Sequence, residues 1–365
     1  MDSCSPPSLN PDISPGEKGS ATREHPCFTA GCEKRNARIH LAVAPRCTIS
    51  CNYCVRRFDC VNESRPGVAS AVISPAEALV RFNAARACLG SLSVVGIAGP
   101  GDALANWPQV EETFRLIRSQ DPLVSFCLST NGLLLPRFVE SLERAGVSHV
   151  TVTVNTVDPA IGAQIYGRVV LDGKAYKGEE AAGLLLDGQL NGIRLLTERG
   201  ICVKVNTVLI AGINDAHVEE VARTASMLGA SCQNITAMIA VPGAAFQERA
   251  PVTAAALSQA RDECRAHLRQ IYHCRQCRSD AVGLLGNDIS PLIEQICQDM
   301  RHNKEAHGKD DKSDGNGNGA EGSRNYGKSD MSGDGAEGSR NYGRSGGNGN
   351  DAEDSHHYDK EALVR

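Results

Sequence analysis

Three thiols, Cys47, Cys51 and Cys54, stand at C-x3-C-x2-C within the run Cys-Thr-Ile-Ser-Cys-Asn-Tyr-Cys. An apolar, strand-like stretch, Ile39 to Ala44, precedes them and ends at Pro45. The thiols are therefore expected on a loop just past the C-terminal end of a strand. Three thiolates on one short loop can hold three corners of a cubane iron–sulfur cluster. No fourth protein ligand is supplied locally, which leaves one iron open to a small molecule. Structural zinc closes four ligands, usually as two Cys or Cys/His pairs, and an odd triplet in eight residues fits that poorly. Disulfides are disfavoured without a secretory context.

Other soft or borderline ligands surround this triplet in sequence. His25 and Cys27 come first, His40 lies inside the first strand, and Cys60 follows the triplet by six residues. Cys127 falls near the end of a later strand, and Cys274 and Cys277 form a C-x2-C pair after the last barrel helix. A lone C-x2-C is weak evidence, since a redox pair or half a zinc site also reads that way. In a chain built to hold one cluster, these seven residues suffice for two more clusters with open irons. Imidazole is a reasonable iron ligand there, as in Rieske centres. For His40, burial as a structural residue and ligation both stand open. Cys88, Cys202 and Cys232 lie alone in apolar patterns and read as small buried hydrophobes.

The elements that must position these groups alternate along the chain. Strands are expected at Arg38 to Ala44, Leu92 to Ala98, Leu123 to Leu128, Val147 to Val154, Ile201 to Ile210 and Gln233 to Ala240. Between them the spacing predicts helices. The first opens at Ser74-Pro75-Ala76-Glu77, with Ser as N-cap, Pro in the first turn and Glu as capping-box partner. Others are expected over about 108–119, 135–145, 178–199 and 254–272, with a loop carrying Tyr166, Gly167 and Arg168 and with Gly212 to Asp215 capping a helix to Leu228. Six strands alternating with helices predict a parallel α/β fold. Without G-x-G-x-x-G after the first strand, a doubly wound dinucleotide-binding sheet is the weaker reading. Polar and glycine-rich residues recur at strand C-termini, which is how a β/α barrel builds its active site. Six units make a partial barrel, open on one side.

Gly99-Pro100-Gly101-Asp102 would leave backbone groups exposed at the barrel mouth, although a plain βα turn suits the same residues. Ser129, Thr130 and Asn131, and Asn155, end the next two strands and could bond a carboxylate or ribose. Asn155 could equally cap the next turn.

The ends are different in kind. Residues 1–22 are rich in Pro, Ser and Gly and are expected to be a disordered leader. The core is expected over 23–300, and 301–365 to be a disordered Gly/Asn/Ser-rich tail in which Ala320-Glu-Gly-Ser-Arg-Asn-Tyr-Gly returns at Ala336, a period of sixteen. Net charge is −5, which gives no nucleic-acid footprint. No run approaches the ~18 apolar residues of a membrane span. Fifteen cysteines without an export signal point to a reducing cytoplasm.

The triplet with Tyr53 before its last cysteine resembles the loop of radical S-adenosylmethionine (SAM) enzymes, whose core is a partial β/α barrel. That resemblance implies that the methionine amino and carboxylate groups chelate the open iron, with Gly99, Gly101 and Asp102 near the amino group. A wider motif set narrows it. His25-Pro26-Cys27, Arg38 to Pro45, Asp59-Cys60 with Asn62 to Gly67, Gly99 to Asp102, Ser129 to Gly132, Val154-Asn155 with Val157 to Pro159, and Cys274 to Arg278 together resemble the NifB family over about residues 24 to 290. That family makes the carbide-centred iron–sulfur precursor of the nitrogenase cofactor.

The resemblance implies one 4Fe-4S cluster held by three Cys and SAM, and two accessory 4Fe-4S clusters. One SAM gives a methyl group and a second gives a 5′-deoxyadenosyl radical. The two accessory clusters then fuse around the resulting carbide and gain a sulfur. His25, Cys27 and Cys127 are expected with one accessory cluster, Cys274 and Cys277 with the other, and Cys60 with either. Glu63 and Arg65 would be proton acceptor or anchor, and a salt-bridged turn explains them equally. Implied partners are a cluster-donor scaffold and a nitrogenase cofactor carrier or assembly scaffold. Many family members carry a C-terminal cofactor-carrier domain where this chain has its repetitive tail. The competing readings are another radical SAM maturase with auxiliary clusters, acting on a peptide through all-Cys ligation, and a non-catalytic cluster scaffold.

Overall fold

The protein is described by a computed structural model covering residues 25–55, 59, 60, 62 and 71–310, with no side-chain description for 303–310. The leader, the tail beyond 310, and Glu63 and Arg65 lie outside the described residues.

In chain order the strands are β1 (Ala37–His40), β2 (Ile49–Cys51), β3 (Leu92–Ile97), β4 (Ser125–Thr130), β5 (Val147–Thr153) and β6 (Tyr166–Leu171). They continue with β7 (Lys174–Tyr176), β8 (Cys202–Leu209), β9 (Cys232–Ala237), β10 (Val282–Leu284) and β11 (Asn287–Asp288). The helices are α1 (Pro75–Cys88), α2 (Trp107–Gln120), α3 (Leu135–Arg144), α4 (Pro159–Ile165), α5 (Gly178–Glu198), α6 (Val218–Met227), α7 (Ala254–Cys264) and α8 (Ser290–Asp310). The main sheet runs β11-β10-β1-β3-β4-β5-β8-β9. The run from β1 to β9 is six strands, all parallel, and these are the six expected from sequence. The architecture is the partial β/α barrel expected from sequence, with an antiparallel hairpin added beside β1.

Residues along each strand point alternately to opposite faces, and here the two faces differ in chemistry. Ala37, Ile39, Val95, Ile97, Phe126, Leu128, Val150, Val152, Val203 and Val205 belong to the apolar core. The intervening His40, Gly96, Cys127, Ser129, Thr151, Lys204, Asn206, Asn234 and Thr236 line a cavity on the other face. The interior of a closed barrel is ordinarily filled by branched apolar side chains. This one is lined by an imidazole, a thiol, hydroxyls, amides and a lysine.

The Ser74 capping box forms as expected, with Ser74 Oγ accepting from Glu77 N and Glu77 Oε2 accepting from Ser74 N at 2.8 Å. Three expectations are corrected. Tyr166 to Arg168 are not loop: they open β6, which pairs with β2 of the cysteine loop and with β7. Gly212 to Asp215 do not cap α6, which begins at Val218. Instead Asn214 Oδ1 accepts from Ile210 N and Asp215 Oδ2 from Gly212 N, closing a turn ahead of it. The helix expected over 254–272, α7, stops at Cys264, because the edge strand β9 offers open backbone groups. Gln233 N donates to Arg269 O and Ile271 N to Gln233 O, both at 2.8 Å, so the chain lies alongside β9 instead of continuing the helix.

Candidate functional site

Two adjoining cavities occupy the polar face. The first lies at the strand C-termini and is lined by Cys47, Cys51 and Cys54, by Cys60 and Asn62, and by Gly101, Asp102, Ser129, Thr130 and Asn131. The cysteine loop is held from behind. Ile49 and Ser50 pair with Val169 and Arg168 of β6. Tyr53 is buried, donates its hydroxyl to Asn62 Oδ1 at 2.6 Å and accepts from Asn155 Nδ2 at 2.7 Å. Asn155 Oδ1 in turn accepts from Val208 N. Tyr53 and Asn155 therefore brace the wall and are not among the residues that line the cavity; the same is true of Gly99.

Gly101 packs directly on the loop backbone. Its N donates to Ala44 O at 2.6 Å, and a Cβ there would lie 2.6 Å from Pro45 O and 2.8 Å from Ala44 O. A contact that close admits only glycine without a shift of the chain. Asp102 is buried, and its two oxygens accept from Leu104 N, Ala105 N, Thr130 Oγ1 and Asn131 N. Burial raises its pKa above the ordinary carboxylate value, and those four donors act against the rise. Asp102 thus locks the β3 and β4 ends together. Asn131 completes the wall: its Nδ2 reaches Thr48 Oγ1 at 3.1 Å and Cys47 Sγ at 3.7 Å.

The second cavity, with about 660 Å³ of empty space including its opening, lies deeper in the barrel. It gathers His25, Cys27, His40, Cys127, Cys274 and Cys277, six of the seven accessory candidates; Cys60, the seventh, lines the first cavity. Asn62 and Ser129 line both. Asp59 accepts from Ser279 Oγ at 2.8 Å, which ties the Cys60 segment to the chain just after Cys277.

His40 and Cys127 come from neighbouring positions flanking Gly96 on β3, where any Cβ would meet both. His40 Nδ1 is 3.0 Å from Arg278 O. A carbonyl can only accept, so Nδ1 carries the proton and Nε2 keeps its lone pair. Burial, with Arg38 close by, pushes the His40 pKa down to about 4, so the ring is neutral and ligand-competent at neutral pH. His25 is arranged otherwise. Its Nδ1 accepts from Cys27 N at 3.1 Å, which leaves the proton of a neutral ring on Nε2, buried without a partner. Burial also lowers the His25 pKa. On this geometry His40, rather than His25, stands ready to ligate beside Cys127. Burial pushes the Cys27 thiol up to about 11, so binding there must release a proton.

Two residues here carried no local signal in sequence: Lys204, which lines the cavity, and His149, which packs behind the lining residues His25 and Phe28. His149 is fully buried and packs its ring on His25 and Phe28, with centroids 4.5 and 4.6 Å apart. Lys204 sits between Val203 and Val205 on β8, with Nζ 5.0 Å from the Phe28 ring centroid. No aspartate or glutamate among the described residues lines the deep cavity, whereas Lys204 and Arg275 do, so this wall suits an anion. Among the described residues no three His, Cys, Asp or Glu side chains close around a single metal ion. The thiols are instead spread over cavity walls. A cubane, whose separate iron corners each take a ligand, fits such a set, both at the Cys47/Cys51/Cys54 loop and in the deep cavity.

The family pattern described as the radical SAM superfamily matches residues 41–225. The FeMo cofactor biosynthesis protein NifB of Bradyrhizobium diazoefficiens is 46% identical over 281 residues, covering 76% of this chain and 56% of that protein. NifB of Klebsiella pneumoniae is 48% identical over 276 residues, covering 74% and 59% respectively. The chain thus spans less than two thirds of the length of these relatives. Among solved structures, Streptococcus suis SuiB bound to S-adenosylmethionine is similar at 13% identity and a TM-score of 0.48, over 66% of this chain and 51% of that one.

Proposed function

Because the chain belongs to the radical SAM superfamily and, within it, to the NifB family, we propose that it builds the precursor of the nitrogenase iron–molybdenum cofactor. Its substrates are two 4Fe-4S clusters, fused around a SAM-derived carbide with one added sulfur. The observation that carries this reading is the adjacency of the two cavities across Asn62 and Ser129. A radical enzyme acting on a peptide needs a substrate channel at the mouth. Here the mouth opens onto a chamber lined, among the described residues, by seven thiol and imidazole groups and no carboxylate.

Cys47, Cys51 and Cys54 would hold the resident cluster, which with SAM supplies a methyl donor and a 5′-deoxyadenosyl radical. Gly101 lets the β3 loop sit against the cysteine loop, and Asn131 directs an N–H toward Cys47. In the chamber His40, Cys27 and Cys127 would grip one substrate cluster. Cys274 and Cys277 would grip the other, with Cys60 at the passage between the cavities. Phe28 and His25 close the chamber on one side and keep water out. Lys204 offsets the negative charge of bound clusters. Glu63 and Arg65, which lie outside the described residues, would accept a proton or anchor substrate. A cluster-donor scaffold would supply the chamber and a cofactor carrier would receive the product, in a reducing cytoplasm. No helix among the described residues is long and apolar enough to cross a membrane.

The reading is tested by incubating the anaerobically reconstituted protein with methyl-labelled SAM and a reductant. Both S-adenosylhomocysteine and 5′-deoxyadenosine should form, and the label should stay with the protein-bound iron–sulfur fraction. Formation of 5′-deoxyadenosine alone, with no label retained, contradicts it. Cys127→Ala and Cys274→Ala should keep SAM cleavage and lose label retention.

A further inference from the structure

We propose that Arg38 is a positioning residue that holds the Cys277 sulfur toward the deep chamber and sets the reduction potential of the cluster bound there. The proposal rests on the reading of that chamber as a cluster site. Arg38 lies on β1 opposite Gly283 of β10 and is only 2% exposed. Its Nη2 donates to Cys277 Sγ at 3.0 Å, and its Nη1 donates to Gly283 O and, at 3.3 Å, to Leu284 O. Nε is buried with no partner. A buried guanidinium is costly unless something meets its charge. The two carbonyls satisfy hydrogens but carry no net charge. Asp288 lies close enough for Arg38 to help hold its carboxyl low, and Cys277, once it ligates iron, is a thiolate that adds the negative charge in direct contact with the guanidinium.

The turn that brings Cys277 to Arg38 is itself unusual. Gln276 adopts φ 46°, the left-handed region that non-glycine residues rarely occupy. Such conformations persist where surrounding contacts over-determine them, and the Arg38–Cys277 bond is one such contact. Hydrogen bonds to cluster sulfurs are among the determinants of reduction potential. A guanidinium N–H on the sulfur favours the reduced, more negative state.

Two measurements test this on the full chain. In the metal-free protein, thermal midpoints of Arg38→Met, Cys277→Ala and the double variant should be non-additive, the double losing little beyond Arg38→Met alone. Additive losses would mean that Arg38 and Cys277 are not coupled and would overturn the proposal, whether or not clusters bind. In the reconstituted protein, redox titration by EPR should show the accessory-cluster midpoint falling in Arg38→Met. The expected change is a tenfold drop in the reduced-to-oxidised ratio, or 59 mV for one electron, with Arg38→Lys intermediate. An unchanged midpoint on a cluster that still assembles also overturns it. Wild-type protein that binds no accessory cluster defeats the reading of the chamber instead, and leaves the metal-free cycle to decide the Arg38–Cys277 coupling.

Discussion

His40 and Cys127 face each other over a residue with no side chain. A Cβ built on Gly96 would lie 3.1 Å from His40 Cδ2 and 3.0 Å from Cys127 Sγ. The glycine is therefore what allows an imidazole and a thiol to share one side of the deep cavity. Gly96→Ala should push both side chains off their positions, an overpacking cost of about 1–3 kcal/mol. Accessory iron should be lost while cleavage of SAM at the mouth persists. Iron analysis beside a 5′-deoxyadenosine assay checks this, and a Gly96→Ala protein with its full iron content contradicts it.

Burial makes the metal-free protein sensitive to acid through His40. Its folded value near 4 lies below the 6.5 of an exposed histidine, so between those values the unfolded chain binds the extra proton. Stability is fully present above pH 6.5 and is lost as pH falls toward 4, by roughly 3 kcal/mol for a shift of this size. His25 is shifted in the same direction. Urea unfolding at pH 7, 5.5 and 4 should show this loss, and His40→Gln should flatten it. An equal slope in the variant assigns the acid sensitivity elsewhere.

Tyr53 joins the cysteine loop to the partition between the cavities. Tyr53→Phe removes the donor to Asn62 Oδ1 and the acceptor for Asn155 Nδ2, both buried. Leaving such groups unpaired costs about 1–3 kcal/mol. Because Asn62 also accepts from Asn206 Nδ2 through its backbone carbonyl at 2.7 Å, the loosening should spread to the passage. The variant should melt lower and give more 5′-deoxyadenosine per labelled product than wild type. Unchanged coupling would make Tyr53 a packing residue only.

Much of the frame was legible because its signals are local. Ser74, Pro75 and Glu77 announce α1 within four residues, and apolar runs alternating with helical segments mark all six parallel strands. The β2–β6 pairing was not legible, since a three-residue strand finds its partner across more than a hundred residues and neither segment shows a strand-length pattern. The triplet and the outlying cysteines were recognisable by type and spacing. Arg38, Lys204, Asn206 and Asn234 were not, because a polar residue inside an apolar run declares its face only once the strand is set in the sheet. His25 was paired with Cys27 and Cys127, and His40 was left open between ligation and a structural role, whereas the Arg278 carbonyl and the gap at Gly96 favour His40. Neither of those could be read without the fold.

The central claim is that one chain holds a resident cluster and a separate chamber for two more. Iron and sulfide counted per chain after full anaerobic reconstitution measure this directly. The account predicts about twelve irons, three cubanes of four, falling to about four when Cys27, Cys127, Cys274 and Cys277 are replaced together. A wild-type protein that saturates at about four irons would contradict it.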